Sequence, residues 1–287
     1  MPLPHPSPGP ALDLVAGRAT ELGGVPIARL LPRRPRRTIG AWCFLDLMGP
    51  TDEALEVGPH PHIGLQTVTW LLEGEVVHRD SLGVEQPIRP GQLNLMTAGD
   101  GVAHAEEGVA GRLRGAQLWV AQPEATRHGA PAFEHHEDLP TVAVGAGSAT
   151  VLVGELAGAR SPARHDTPLL GAELRLGPGV TELPLEPAFE HGIAVLDGSA
   201  AIEGRAVRAG ELLHVGSERA SAAIVTDGPA IALLLGGEPL GEDLVMWWNF
   251  VGRTGEEIDA ARADWEASAP RFGPVASSLA RVPAPAR

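Results

Sequence analysis

The sequence predicts an all-β protein that uses one β-domain fold twice in tandem and ends in a short α-helix. Three observations support this class. Short runs rich in Val, Leu, Ile and Thr recur, glycine and proline separate them, and a similar succession returns in the second half. Short strands at this spacing, with turn residues between them, are typical of a β-barrel or β-sandwich.

The clearest strands lie in the first half of the chain. Each apolar run there is bounded by a turn signal, which is Glu73-Gly74, Pro90-Gly91 or Pro123. A run bounded in this way is predicted to form a strand. The three runs are Val68–Leu72, Gln92–Met96 and Gln117–Val120.

The second half repeats this pattern, which indicates one β-domain used twice. The charged stretch from about Glu134 to Pro140 is the predicted junction. This gives an amino-terminal domain over residues 1–135 and a carboxy-terminal domain over residues 140–287. The matching segments are Ile193–Gly198 with the strand ending at Gly74, and Val207–Leu213 with Ile88–Leu93.

A single helix is predicted near residues 254–268, at the end of the second domain. Thr254 and Glu257 have the spacing of a capping box, in which each side chain bonds a free backbone amide of the first turn. Pro270 lies beyond the expected end of the helix. The Ala-Pro pattern after it predicts a flexible tail. The residues that form one apolar stripe are Ile258, Ala261 and Trp265.

Composition excludes several classes of function. The net charge of −14 argues against direct nucleic-acid binding, which depends on clustered cations. The chain contains no lysine, so Schiff-base chemistry and a lysine base are excluded, and it contains no tyrosine for phenolic acid–base chemistry. No run is long and apolar enough for a membrane span or a signal peptide. With Cys43 as the sole cysteine, no internal disulfide can form, and we expect a cytoplasmic protein.

Two short motifs predict a metal site. Residues two apart on a strand point to the same face, so His60-Pro61-His62 and His104-Ala105-Glu106 would each present two metal-binding groups. If the two strands are neighbours, His60, His62, His104 and Glu106 form a ligand shell for a divalent first-row metal. Glu107 would point to the opposite face, so Glu106 is the better candidate.

The repeat places the predicted metal site in the first domain alone. His104 lies thirteen residues after Gly91, and the residue thirteen positions after the equivalent Gly210 is Ala223. Nothing in the second copy corresponds to the His-Pro-His motif. The second domain is therefore predicted to hold no metal.

The segment from His60 to Glu106 resembles the pirin family, whose members are bicupins of the cupin superfamily. The resemblance extends over nearly the whole chain and implies two cupin-type β-barrels, with iron bound in the amino-terminal one by His60, His62, His104 and Glu106. The other matching motifs are Arg36–Asp46, His78–Gly83, Gln117–Val120 and Met246–Phe250.

The resemblance also implies two alternative functions. Some bacterial pirins are similar to quercetinases, so we expect a dioxygenase that acts on a small flavonol-type aromatic enol and dioxygen, with Glu106 as the general base. The alternative is a non-catalytic module that binds a protein partner in a metal-dependent manner. Fe²⁺ is the predicted metal, and the ligand types also suit Mn²⁺, Ni²⁺, Cu²⁺ and Zn²⁺. Oligomeric state is left open.

Two residues depart from the family pattern. Gln66 occupies a position where the general cupin motif often has a ligand glutamate, and Asp100 occupies a position where many pirins have arginine. The first departure leaves the predicted ligand set intact, because pirins use the later carboxylate. The second puts in doubt any inherited contact that depends on a positive charge there.

Overall fold

The computed structural model describes residues 12–34, 36–109 and 111–286. Strands predominate in this part of the chain, as the sequence predicts, and its one α-helix lies near the carboxy terminus. The first twelve strands are β1 (Asp13–Ala16), β2 (Arg18–Leu22), β3 (Val25–Leu31), β4 (Trp42–Thr51), β5 (Glu56–His62), β6 (Leu65–Glu73), β7 (Val76–Asp80), β8 (Glu85–Ile88), β9 (Leu93–Thr97), β10 (Val102–Gly108), β11 (Leu113–Ala121) and β12 (Ala132–His136).

The remaining elements are β13 (Thr141–Val144), β14 (Gly147–Val153), β15 (Glu155–Leu156), β16 (Ala159–Arg160), β17 (Leu169–Leu176), β18 (Gly179–Pro184), β19 (Glu190–Asp197), β20 (Ser199–Ile202), β21 (Arg205–Arg208), β22 (Glu211–Gly216), β23 (Ser221–Thr226), β24 (Ala230–Gly237), β25 (Val245–Trp247), β26 (Phe250–Gly252) and α1 (Gly255–Glu266).

The chain folds into two compact units, and neither is one continuous stretch of sequence. Over the described residues, the first, here called the histidine unit, consists of Arg18–Leu31, Trp42–Leu139 and Leu240–Arg287. The second, here called the companion unit, consists of the described parts of Met1–Gly17 and Pro32–Ala41 together with Pro140–Pro239. The carboxy-terminal helix, which the sequence analysis assigns to the second domain, therefore belongs to the histidine unit.

The two units share one arrangement of sheets, which confirms the predicted repeat and the two-barrel fold class. The histidine unit contains a seven-stranded sheet in the order β12-β9-β6-β11-β4-β3-β2 and a four-stranded sheet in the order β5-β10-β7-β8. The companion unit contains a seven-stranded sheet in the order β1-β22-β19-β24-β17-β14-β13 and a four-stranded sheet in the order β18-β23-β20-β21. Alternation of buried and exposed residues is clearest in β18 and β23.

The helix α1 begins and packs as its sequence predicts. Thr254 is the N-cap, and its hydroxyl accepts a hydrogen bond from the Glu257 amide. The Glu257 carboxylate bonds the Arg253 amide rather than that of Thr254, so the second half of the capping box is shifted by one residue. The predicted stripe is buried in a cluster that also contains Ile63 and Ala103 of the histidine unit, which explains why the helix belongs there. No helix in the described ranges has the length and apolar character to cross a bilayer.

The segment after α1 is packed, although its composition predicts a flexible tail. The Val282 amide donates to the carbonyl of Pro59 in β5, and the Val282 carbonyl accepts from the Trp265 indole, 2.9 Å in both cases. The guanidinium of Arg281 lies 3.5 Å from the centre of the Trp265 ring. Backbone hydrogen bonds and the stacking of Arg281 on Trp265 hold the tail in place. Neither contact can be predicted from the alanine-proline composition of the segment.

The companion unit has a large apolar core. It consists of Val, Leu, Ile and Ala side chains from both sheets. The buried polar residues of this unit include His191, His214 and Glu173. The second copy therefore keeps the fold and fills the interior with packing residues.

We predict that His214 makes the stability of the protein fall in acid. Burial lowers its pKa to about 4, and the nearby Arg36 acts in the same direction. The unfolded chain therefore binds a proton below about pH 6.5, before the folded chain does. The stabilising contribution is present above pH 6.5 and is lost as the pH falls towards 4, which amounts to about 2 kcal/mol at pH 5.

Urea unfolding at pH 7 and pH 5 measures this effect. Wild type is expected to lose about 2 kcal/mol more between the two pH values than His214→Gln. The control is His128→Gln, since the His128 side chain is 57% exposed. This control should show the wild-type pH dependence. Equal losses in wild type and His214→Gln would contradict the prediction.

Candidate metal centre

Two antiparallel strands bring three histidines together. In β5 and β10, His60 lies directly opposite His104, and His62 lies two residues further along β5. One ligand nitrogen from each ring lies within 4.8 Å of the others. The Nε2 atoms of His62 and His104 are 3.0 Å apart, and all three side chains are buried. Side chains two residues apart on a strand point to the same face, and this alternation, on which the sequence prediction depends, places the three rings in one cluster.

Backbone carbonyls orient two of the rings. The Nδ1 of His60 lies 2.9 Å from the carbonyl oxygen of Gly58, and the Nδ1 of His62 lies 3.0 Å from that of Asn249. A carbonyl oxygen can only accept, so Nδ1 carries the hydrogen in both rings. Each Nε2 is left with a lone pair, which is the form in which an imidazole binds a metal.

A bulge in β5 supplies one of these carbonyls. Between the pairs His60–His104 and Val57–Glu106, β5 contains one residue more than β10. Gly58 lies in this bulge, and a Cβ at that position would come within 2.0 Å of the Ala280 carbonyl oxygen. Glycine is therefore required where the tail passes over the strand, and its carbonyl is free to accept from His60.

Burial keeps the three imidazoles neutral. Removal from water lowers the pKa of His60 to about 4 and lowers the pKa values of His62 and His104 well below the ordinary histidine value. The mutual repulsion of positive charges on neighbouring rings acts in the same direction. At neutral pH, the rings therefore present lone pairs rather than N–H groups that would repel a cation.

The donor set fits a metal ion. Three neutral imidazole nitrogens in one buried cluster are a ligand set that divalent first-row metals bind. The Nε2 of His62 carries a lone pair and faces the Nε2 of His104 at 3.0 Å, so a proton or a cation is needed between them. His60, His62 and His104 could thus hold a metal.

Glu106 lines the same cavity as the histidines but lies outside their cluster of ligand atoms. Its Oε1 lies 3.4 Å from the Thr69 hydroxyl. Burial raises its pKa, and the Thr69 hydrogen bond opposes that rise. The Glu107 carboxylate instead bonds Arg79 and Ser277. The role of Glu106 as fourth ligand stays a prediction.

An aromatic cavity of about 500 Å³ opens onto the histidines. One wall is formed by Phe44 and Trp119, whose rings stack 4.0 Å apart at 14°. This wall lies next to the three histidines, because the centre of the His62 ring is 5.3 Å from that of Trp119. Further lining comes from the carboxy-terminal segment, through Trp248, Asn249 and Val282.

Gln117 brings a polar group to the cavity. Its Oε1 accepts a hydrogen bond from the Thr69 hydroxyl at 3.0 Å. Its Nε2 is buried and has no hydrogen-bond partner among the described residues. A buried amide hydrogen without an acceptor costs about 1–3 kcal/mol.

Gln66 and Asp100, the two departures from the family pattern, lie outside the cluster of three histidines. Gln66 donates to the Thr97 hydroxyl at 3.0 Å and does not line the cavity. Asp100 lies 3.6 Å from both Arg271 and His128, in a separate cleft of the same unit.

Sequence reasoning missed several residues of the site. Asn249 lies within the matching motif Met246–Phe250, but that match assigns it no role, and no local pattern marks Val282. His78 and Asp80 adjoin His104 from strand β7. Their spacing of two residues on a predicted strand is the same signal that identifies the metal histidines, so it could have found them.

Comparisons with known proteins identify the family of the chain. The Pirin family model matches residues 24–120, and the model of the Pirin C-terminal cupin domain matches residues 172–273. A Pseudomonas aeruginosa protein named "Putative quercetin 2,3-dioxygenase PA1205" is 48% identical over 91% of this chain and 86% of its own length. The chain belongs to the pirin family. A pirin-like protein of Caulobacter vibrioides is 38% identical over 89% of this chain and 93% of its own length.

Solved structures show the same pirin fold. A quercetin 2,3-dioxygenase of Acinetobacter baumannii superposes with a TM-score of 0.91 at 42% identity, over 96% of this pirin and 95% of that chain. The Escherichia coli pirin YhhW, solved with nickel(II), superposes with a TM-score of 0.64 at 18% identity, over 80% of this chain and 100% of its own. The second likeness concerns the fold alone.

Proposed function

We propose that this pirin is a metal-dependent dioxygenase that acts on flavonol-type aromatic enols. The observation that carries the proposal is the placement of three neutral, buried imidazoles at the wall of an aromatic cavity of about 500 Å³. A cavity of this size accommodates a small planar aromatic molecule. The names of the relatives from Pseudomonas aeruginosa and Acinetobacter baumannii support the same activity.

Iron is the proposed metal, and Glu106 is its proposed fourth ligand. Mixed imidazole and carboxylate ligation with open positions suits Fe²⁺, whereas Zn²⁺ more often forms a closed tetrahedral site. Four protein ligands on a six-coordinate ion would leave two positions. Mn²⁺, Ni²⁺ and Cu²⁺ are compatible with the same ligand types, and the experiment below compares them.

The residues of the cavity divide the chemistry among them. The bound metal would lower the pKa of a coordinated enol hydroxyl and bring the enolate next to dioxygen. Glu106 accepts the hydroxyl proton on its carboxylate. The Phe44–Trp119 wall packs against the face of the substrate ring, and the buried position of the site excludes water.

Reconstitution tests the proposal. The purified protein is loaded anaerobically with Fe²⁺, and in parallel with Mn²⁺, Ni²⁺ or Cu²⁺, and quercetin loss is followed together with oxygen uptake. We expect one dioxygen consumed per flavonol lost, and no turnover in His104→Ala. Full metal occupancy without turnover for every metal would contradict the dioxygenase and favour the metal-dependent protein-binding module.

Gln117→Met is expected to weaken substrate turnover without releasing the metal. Methionine keeps the length of the side chain but cannot donate the hydrogen bond that the Nε2 of Gln117 offers to the substrate. A hydrogen bond to a charged oxygen contributes about 1.5–3 kcal/mol, so kcat/KM should fall about 10- to 100-fold. Steady-state kinetics on the iron-loaded enzyme measure the change.

The matched control for this prediction is Gln66→Met. Gln66 is equally buried but bonds Thr97 and does not line the cavity. We expect kcat/KM near that of wild type. Comparable losses in the two variants would attribute the effect to general disturbance of the sheet and would refute a substrate contact by Gln117.

A further inference from the structure

Two buried side chains of β7 form a chain of polar contacts that ends on His104. The His78 Nδ1 lies 3.2 Å from the His104 Nδ1, and the His78 Nε2 lies 3.1 Å from the Asp80 Oδ2. Both are buried, and β7 pairs with β10 so that Asp80 lies opposite His104. These contacts are made by the Nδ1 side of the His104 ring, whereas its Nε2 faces His62 in the histidine cluster.

The Asp80 carboxylate, at the end of this chain of contacts, determines which nitrogen atoms carry a hydrogen. The Asp80 carboxylate can only accept, so the Nε2 of His78 carries a hydrogen. In a neutral imidazole, a hydrogen on Nε2 leaves a lone pair on Nδ1. The His78 Nδ1, 3.2 Å from the His104 Nδ1, can therefore accept the hydrogen of the His104 Nδ1, and the His104 Nε2 is then free to bind a metal.

We propose that Asp80 and His78 are positioning residues that hold His104 in its metal-binding tautomer. The inference rests on the metal site of the proposed function and not on the dioxygenase reaction. His60 and His62 obtain the same tautomer from backbone carbonyls, whereas His104 obtains it from a buried histidine and carboxylate. All three rings therefore present an Nε2 lone pair to the cluster. Backbone carbonyls fix the tautomer of two rings, and a pair of side chains fixes that of the third.

The surroundings hold this pair of residues rigidly. The other carboxylate oxygen of Asp80 accepts from the amides of Leu82 and Val84, at 2.9 and 3.0 Å. The His78 ring stacks on Phe133 with centroids 4.5 Å apart. Because the carboxylate is bound by a turn and the ring by an aromatic face, neither can rotate freely away from His104.

Asp80→Asn tests the proposal without removing the turn. The asparagine oxygen can still accept from Leu82 and Val84, while its NH₂ group donates to the Nε2 of His78. That donation reverses the chain, so His78 donates from Nδ1 and His104 carries its hydrogen on Nε2. We expect the affinity for Zn²⁺, used as a redox-inert probe, to fall about 10- to 100-fold.

The tautomer itself is read from ¹⁵N chemical shifts of His104 in the protein mixed with excess Zn²⁺. Wild type should show Nδ1–H with a metal-bound Nε2, and Asp80→Asn should show the Nε2–H form. His78→Gln keeps an oxygen that can accept from the His104 Nδ1–H, so it should bind Zn²⁺ more tightly than His78→Leu. The control Asp46→Asn alters an equally buried carboxylate that bonds Arg29, and it should keep wild-type affinity.

Two results would overturn the proposal: an Asp80→Asn protein with wild-type Zn²⁺ affinity, or one that loses affinity while His104 keeps the Nδ1–H tautomer. Neither measurement requires turnover. A wild-type protein that binds metal but does not consume flavonol would refute the dioxygenase and leave this test intact.

Discussion

His62→Ala is expected to yield a protein that no longer retains its metal after dialysis. His62 carries a fixed Nε2 lone pair, and that atom lies 3.0 Å from the Nε2 of His104, so it faces its neighbour within the cluster. Without it, two imidazoles and one carboxylate remain, and loss of a protein ligand weakens binding far more than loss of an outer partner. Elemental analysis and the iron absorption spectrum of freshly purified protein measure the loss.

The control for this prediction is a histidine that is equally buried in the companion unit. His191 is 1% exposed, as is His62. His191→Ala should therefore disturb packing to a similar degree and keep the metal. If the iron signature survives intact in His62→Ala, the ligand set proposed here is wrong.

The second large effect is expected for Glu106→Gln. Glutamine preserves the shape of the side chain but cannot take the substrate proton, and general base catalysis contributes about 10²- to 10⁴-fold. We expect kcat to fall by that amount at saturating Fe²⁺, while the three histidines still bind the ion. The measurement is steady-state flavonol loss at saturating substrate, with metal content determined on the same sample.

Glu107→Gln provides the comparison at the neighbouring position. Its carboxylate bonds Arg79 and Ser277 and does not line the cavity, so turnover should stay near wild type. A Glu106→Gln enzyme with undiminished kcat would exclude Glu106 as the base. Equal losses at both positions would show a general effect of removing charge from β10.

The fold and the heart of the site follow from local patterns in the sequence. Alternation along a strand is a property of neighbouring residues, so His60 and His62 could be assigned to one face from their spacing alone. The repeat comparison then separates the two domains, because Ala223 stands where His104 stands in the first copy. In the companion unit, the corresponding strand β23 contributes the apolar residues Ala222 and Ile224 to the core.

The environment of the histidines could not be predicted in the same way. The carbonyl that orients His62 belongs to Asn249, 187 residues away, and a backbone carbonyl leaves no trace in the identity of its residue. Val282 reaches the cavity through backbone hydrogen bonds of a segment whose composition indicates disorder. Contacts made by backbone groups that are distant in the chain cannot be predicted from sequence patterns or residue propensities. Such contacts orient the histidines and complete the cavity.

The assignment of the helix to a domain failed for a related reason. Its capping residues and apolar stripe predict where it begins and what it buries, but not which surface it covers. The helix buries Ile258, Ala261 and Trp265 against residues such as Ile63 of the histidine unit. Order along the chain placed it in the second domain, and packing placed it in the first.

Anomalous diffraction at the iron edge, from crystals grown anaerobically with Fe²⁺, tests the central claim most directly. We predict a single strong peak per chain, bonded by the Nε2 atoms of His60, His62 and His104, with the Glu106 carboxylate as the fourth protein ligand. A peak at another position, or none at the triad in a crystal whose protein binds iron in solution, would contradict the account.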